Sequence, residues 1–263
     1  MATLVSFHAH PDDEAIACAG TMARAAAEGH RVVLVVATRG EHGEVEDGFL
    51  DPGETLGDRR TKETLEAARI LGVHRVEFLG YRDSGMIGTT ENEAPGCFWQ
   101  ADLDEAAGRL AAILGEEGAE VLTIYDDHGN YGHPDHIQVH RVGLRAAELA
   151  GTARVYESTI NRDAVMAMMA QVVEEGGELP EDFDPDFDFT QFGSPAAVIT
   201  TSVDVSPYLE QKRSAMAAHA SQIGEGSFFL SMTPEVFAAS WGTEWYIRRG
   251  APAGTAEDWL FPR

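Results

Sequence analysis

Two short strings in this chain bring together residues able to hold a metal ion and to move a proton. The first is H-A-H-P-D-D-E at His8 to Glu14, and the second is H-P-D-H at His133 to His136. Imidazole nitrogen and carboxylate oxygen are donors that zinc favours, and a catalytic zinc site keeps one position open for water. His10, Asp13 and His136 make such a set, with the turn at Pro11 bringing His10 and Asp13 onto one side of the loop. Asp12 is then left over as a base that could take a proton from water. Strand alternation puts His8 on the same face as His10, but His8 lies deeper in the strand and is expected outside the ligand set. Either string alone could consist of turn and cap residues, since an aspartate before a helix is a common N-cap.

The elements around the strings favour chemistry over capping. Leu4 to Phe7 is a short apolar run that ends at the first string, and Thr21 to Glu28 has the alanine-rich character of a helix closed by Gly29. Arg31 to Ala37 is a β-branched run with too few polar residues for an exposed face, which fits a central parallel strand covered on both sides. A helical pattern at Asp58 to Leu71, stopped by Gly72, precedes a strand at Arg75 to Leu79. A second helix at Leu103 to Glu117 precedes a strand at Val121 to Tyr125. Alternating strands and helices predict an α/β fold: a Rossmann-like, mostly parallel sheet with helices on both faces, followed by a C-terminal elaboration. Both strings then directly follow strands, at the edge where open α/β sheets bind ligands. No G-x-G-x-x-G follows the first strand, so a dinucleotide site has little support.

Composition narrows the function classes. Nineteen Lys and Arg against 44 Asp and Glu give a formal net charge of −25, which repels nucleic acid and anionic membranes. No apolar stretch is long enough to span a bilayer and the start lacks a signal-peptide pattern, so a cytoplasmic protein is expected. Cys18 and Cys97 are far apart, which suggests neither a disulfide framework nor a thiolate metal site. The length fits one domain over residues 1–263, with a catalytic core over 1–150 and a substrate-side elaboration over 151–263.

The chain resembles the PIG-L/LmbE-like family of zinc-dependent N-deacetylases, in the branch of N-acetylglucosaminyl-inositol deacetylases and mycothiol S-conjugate amidases. The resemblance runs through A-H-P-D-D-E at Ala9 to Glu14, R-G-E-H-G-E at Arg39 to Glu44, R-x-x-E at Arg60 to Glu63, R-D-S-G-M at Arg82 to Met86 and Y-D-D-H-G-N-Y-G-H-P-D-H at Tyr125 to His136. A weaker echo is K-R-S-A-M-A-A-H-A-S-Q at Lys212 to Gln222. It implies His10, Asp13 and His136 as ligands of Zn2+, or of Fe2+ in its place, and Asp12 as the base. It implies that His133 stabilises the tetrahedral oxyanion, that Asp135 orients the His133 ring, and that Tyr131 closes over the reacting carbonyl. Arg60, Asp83 and Glu44 match positions that grip sugar hydroxyls. The implied reaction removes an N-acetyl group from a small N-acetylated amino sugar. The alternatives are an amidase of a thiol S-conjugate and a non-catalytic zinc-binding protein.

The half after Gly151 is less legible. Its acidic, aromatic segment at Glu181 to Phe189 reads as a tethered loop or a substrate lid. Ser206-Pro207 predicts a helix start, which would leave His219 as a packed helix residue.

Overall fold

A computed structural model describes residues 1–174, 190 and 192–262, so the segment at 181–189 lies outside the described residues. In chain order the elements are β1 (Thr3–His8), α1 (Asp13–Ala17), α2 (Ala19–Ala27), β2 (Arg31–Val36), α3 (Leu56–Leu71), β3 (Arg75–Phe78), α4 (Leu103–Glu117) and β4 (Val121–Tyr125). There follow α5 (Gly129–Gly132), α6 (Pro134–Ala150), β5 (Arg154–Thr159), α7 (Arg162–Glu174), β6 (Thr201–Asp204), α8 (Leu209–Ala218), α9 (Phe228–Ser231), α10 (Pro234–Trp241) and β7 (Thr243–Arg248).

The strands form one sheet in the order β3-β2-β1-β4-β5-β7-β6. The first five run parallel, while β7 pairs antiparallel with β5 and β6 antiparallel with β7. This is the α/β, Rossmann-like, mostly parallel architecture that the alternating pattern predicts. Strand order reverses between β1 and β4, and a crevice opens at such a switch point beyond the carboxyl ends of the strands.

Alternation along the central strands fills two cores. Leu4, Val32, Leu34, Val36 and Val121 point to one face, against Met22 of α2, Ala67 and Leu71 of α3 and Ala215 and Met216 of α8. Val5, Phe7, Val33, Val35, Leu122 and Ile124 point to the other, against Leu110 and Leu114 of α4 and Val139, Val142 and Ala146 of α6. A strand buried on both faces must be apolar at every position, which is why Arg31 to Ala37 reads as a continuous run. Among the described residues no helix is long and apolar enough to cross a membrane.

The residues after 200 are built into this sheet. Lys212 Nζ of α8 donates to Glu244 Oε1 at 2.6 Å, and both side chains are almost fully covered. The Glu244 carboxylate also accepts the Gly20 and Thr21 amides at the start of α2, at 2.9 and 2.8 Å. A buried charge without such partners would be costly, so these contacts fix α8 and β7 against α2.

Helix α6, which carries the second string, sits on β4 through Gly143. A Cβ there would run into the Ile124 side chain. Gly143→Val should therefore lift α6 from the sheet and destabilise the protein by about 1–3 kcal/mol, the usual cost of overpacking. Urea denaturation checks this, and unchanged stability would show that α6 does not depend on close approach to β4.

Candidate functional site

The site occupies the switch point. Its residues come from the loop after β1, the turn into α6 after β4, and the loops after β2 and β3. Among the described residues only Asp12 (φ 98°) and Asn130 (φ 65°) have left-handed backbone without being glycine, and they lie in the loops after β1 and β4. Such conformations cost free energy and persist where the surroundings over-determine them. Gly129, at φ 67°, lets its backbone approach His136, since a Cβ would stand 2.6 Å from His136 Cβ.

The two strings meet. Asp13 Oδ2 accepts the His10 amide at 2.8 Å and stands 3.4 Å from His10 Nδ1, while Asp13 Oδ1 stands 3.4 Å from His136 Nε2. The His136 ring stacks on Tyr125 with centroids 4.3 Å apart and planes 16° from parallel. His10 Nε2, on the far side of its ring from Asp13, donates to Asp135 Oδ2 at 3.1 Å. Burial works against a charged His10 ring, but the Asp13, Asp135 and Asp83 carboxylates outweigh it and hold its pKa well above the ordinary value. Burial likewise opposes ionisation of Asp13, yet His136 and His10 hold its carboxyl well below the usual range.

This donor set fits a metal ion. Ligands ~2.0–2.1 Å from a tetrahedral zinc ion stand about 3.3–3.4 Å from one another, and the Asp13 carboxylate meets each imidazole at 3.4 Å, through Oδ2 for His10 and Oδ1 for His136. A ligating histidine commonly donates its other ring N–H to a carboxylate, and Asp135 meets His10 in that way. Among the described residues, the groups whose single donor atoms all lie within 4.8 Å of one another are His10, His133 and His136, and His10, Asp83 and Asp135; Asp13 belongs to neither. His133, however, is the N-cap of α6, and its Nδ1 accepts the Asp135 amide at 3.1 Å. That contact leaves the proton of the neutral ring on Nε2. Burial and the neighbouring His10 and His136 push the His133 pKa down to about 4, which keeps the ring neutral.

The remaining predicted residues distribute unevenly. The Asp12 carboxylate is met from α3, where its Oδ1 accepts Arg60 Nη2 at 3.1 Å. Burial and the adjacent carboxylates push the Asp12 pKa up to about 6, against the lowering effect of Arg60. Tyr131 is half-exposed with its Oη 3.4 Å from His136 Nε2. Asp135 is fully buried, and its carboxylate takes the Ser84 amide at 2.9 Å and the Ser84 hydroxyl as well as His10. The resemblance implied that this carboxylate steers His133; the structure instead gives His133 the Asp135 main-chain amide, because the capping turn sends the side chain toward the loop after β3. Of the three residues expected to hold sugar hydroxyls, Arg60 is buried and donates to Gly40 O, Pro11 O and Asp12. Asp83 is buried too, and accepts the amides of His42 and Gly85. Glu44 alone is exposed.

His8 stands apart from the donors. Its Nε2 is 2.8 Å from Ser6 Oγ and its Nδ1 2.9 Å from Tyr125 Oη, and burial lowers its pKa. Three partners were missed by sequence reasoning: Ser84, Glu14 and His219. Ser84 and Glu14 stood inside quoted motifs, but their partners are distant in sequence. His219 is one residue past the end of α8 rather than inside it, and its Nε2 donates to Glu14 Oε1 at 2.6 Å.

Imidazoles and carboxylates, buried at the switch point of a mostly parallel sheet, are the donors of a hydrolase site that could hold a metal ion. The chain belongs to the PIG-L family, described as GlcNAc-PI de-N-acetylase, whose model matches residues 5–147. It is 40% identical to 1D-myo-inositol 2-acetamido-2-deoxy-alpha-D-glucopyranoside deacetylase 1 of Catenulispora acidiphila, over 96% of this chain and 85% of that one. It is 39% identical to the deacetylase of the same substrate name from Acidothermus cellulolyticus, over 97% and 92%. Among solved structures, the conserved protein TT1542 from Thermus thermophilus superposes with a TM-score of 0.52 at 25% identity, covering 84% of this chain and 80% of that one.

If His10, Asp13 and His136 hold the metal, removing a ligand and removing a neighbour have different effects. His136→Ala and Asp13→Ala should each lower metal affinity by more than the roughly 10–100-fold typical of an outer partner, and His133→Ala by no more than that. Metal content after dialysis against a mild chelator measures it. A large loss from His133→Ala with little from Asp13→Ala would favour the three-imidazole set.

Proposed function

We propose that this protein is a zinc-dependent hydrolase that removes the N-acetyl group from an N-acetylglucosamine glycoside, with His10, Asp13 and His136 as the metal ligands. The two relatives named above are deacetylases of an inositol glycoside of this kind, and they match nearly the whole chain. The observation that carries the reading is the division of labour within one dipeptide: Asp13 lies between two imidazoles, while Asp12 faces Arg60 with a pKa raised to about 6. Zinc bound by the three ligands would supply a Lewis acid and bring the acidity of water close to neutral pH.

The chain's own groups supply the rest. Asp12, ionised near neutral pH, takes the proton of the attacking water and returns it to the leaving amine nitrogen. His133 presents a neutral Nε2–H, its other nitrogen being held by the Asp135 amide, and can donate to the oxygen that gains charge as the carbonyl becomes tetrahedral. Tyr131 Oη is half-exposed above the imidazoles and placed to close over the acyl group. Arg60 orients Asp12 and opposes the rise in its pKa. Asp83 ties the loop after β2 to that after β3, which leaves Glu44 as the residue with a free carboxylate for sugar hydroxyls. We place the reaction in the cytoplasm, on a small molecule.

Zinc-loaded protein screened by mass spectrometry against N-acetylglucosaminyl-inositol, chitobiose, N-acetylated aminoglycosides and a thiol S-conjugate tests the reading. Loss of acetate from the inositol glycoside is expected. Cleavage confined to the thiol conjugate would make the protein an amidase of that class.

Asp12→Asn keeps the size of the side chain and removes the proton acceptor, so turnover should fall on the order of a hundred- to ten-thousand-fold with zinc still bound. Loss of zinc from Asp12→Asn, with retention in Asp13→Asn, would exchange the two roles. Glu44→Ala should raise KM for the glycoside by about tenfold while leaving hydrolysis of an activated acetyl ester unaltered, because the ester has no ring to hold. Equal effects on both substrates would remove Glu44 from the sugar site.

A further inference from the structure

The left-handed backbone of Asp12 needs something to hold it, and the first string alone does not supply it. The Asp12 amide donates to Glu14 Oε2 at 3.1 Å. The other oxygen of that carboxylate, Oε1, accepts His219 Nε2 at 2.6 Å across 205 residues of sequence. Glu14 and His219 are both completely buried. Burial disfavours charge on each, but their mutual attraction outweighs it, lowering the Glu14 pKa and raising that of His219.

His219 is itself firmly placed. It follows the last residue of α8, its carbonyl accepts the Gln222 and Ile223 amides, and Ile223 is buried in the core. Ser221 donates from its amide and its hydroxyl to the two oxygens of Glu63, at 2.9 and 2.6 Å. Glu63 sits one turn after Arg60 on α3, and Arg60 is the residue that holds the Asp12 carboxylate and the Pro11 carbonyl. Gln222 Nε2 donates to Glu44 O at 2.9 Å. Residues 219–222 therefore reach Asp12 from the main-chain side through Glu14, and contact on the carboxylate side the helix and loop that carry Arg60 and Glu44.

We propose that His219 is a positioning residue for the reaction: through Glu14 it locks the backbone of Asp12 in the left-handed conformation that sets its carboxylate against Arg60. The inference rests on Asp12 being the base. A histidine that only filled the core would affect stability alike with any base in place. One that acts through Asp12 should lose its influence on rate when Asp12 is already disabled, because residues acting through one another are not additive.

His219→Gln places its amide nitrogen where Nε2 stands, and His219→Asn is one methylene too short to reach Glu14. In full-length, metal-loaded protein acting on N-acetylglucosaminyl-inositol, the Gln variant should keep kcat within about threefold. The Asn variant should lose about tenfold or more, because small misplacements of a reacting group are costly. KM and metal content should stay near those of the parent. In Asp12→Asn protein, His219→Asn should change the residual rate by less than about twofold. Similar rates for the Gln and Asn variants, or the same loss with Asp12 already replaced, would overturn the role.

Hydrogen exchange of the Asp12 amide reads the same contact without turnover, and should speed up by about tenfold or more in His219→Asn but not in His219→Gln. An unchanged exchange rate in His219→Asn would also overturn it. Should His219→Asn fail to fold, Glu14→Gln, which keeps an acceptor for that amide, is expected to exchange slowly and Glu14→Ala quickly, and equal rates would refute the proposal. A fully active Asp12→Asn protein, or a parent inactive on this substrate, would instead overturn the functional reading, while the exchange data would still decide for or against His219.

Discussion

One buried carboxylate ties the site together. Asp135, at the second position of α6, binds the His10 ring from the loop after β1 and the amide and hydroxyl of Ser84 from the loop after β3, while its own amide caps onto His133. Three loops that the sheet merely brings near one another are thereby tied together. A fully buried carboxylate is tolerable only when its oxygens are satisfied, and the donors that satisfy this one are those that hold the site in register. The carboxylate holds the His10 ring and seats the loop that carries Asp83, while the main-chain amide of the same residue sets the neutral tautomer of His133.

The second dependency is electrostatic. The site gathers four carboxylates, Asp12, Asp13, Asp83 and Asp135, around three imidazoles, in a chain that already carries a net charge of −25. The environments push like groups apart: Asp13 stays ionised among imidazoles, Asp12 rises to about 6, and His133 falls to about 4. Such a spread separates groups that hold charge from groups that exchange protons. Arg60 offers Asp12 a positive partner from a buried position.

Much of this was legible in the sequence because it is local. The run Arg31 to Ala37 announces a strand covered on both faces, and the helices at 103–117 and around 58–71 announce themselves by period and by their closing glycines. The spacing of His10, Asp12 and Asp13, with His136 after the next central strand, is enough to propose a ligand set and a base. What was not legible depends on pairs far apart in the chain. Nothing near Glu14 signals His219, and nothing near Asp135 says that its carboxylate turns to Ser84 and His10 rather than to His133. Arg60 looks like a surface residue from its helix, yet the close backbone of the loop after β2 buries it. The antiparallel strands β6 and β7 were also missed, since Thr201–Asp204 is only four residues long and Thr243–Arg248 shows neither a long apolar run nor a motif.

The way the sheet is finished sets a timetable for the protein's birth. Trp259, Leu260 and Phe261 lie in the same core as Leu4 and Met22, Phe261 stacks on His30 at 3.8 Å, and Tyr156 Oη donates to Leu260 O. A nascent chain that has just exposed both histidine-aspartate strings still lacks this lining. At about 5–20 residues per second, the ribosome needs on the order of ten seconds to pass from His136 to Phe261. During that interval the half-made sheet presents the β5 edge without β7 and one face of β1 and β2 without α8, and such edges invite pairing with other chains. The β5 edge and the β1–β2 face are thus the last parts of the growing sheet to be covered.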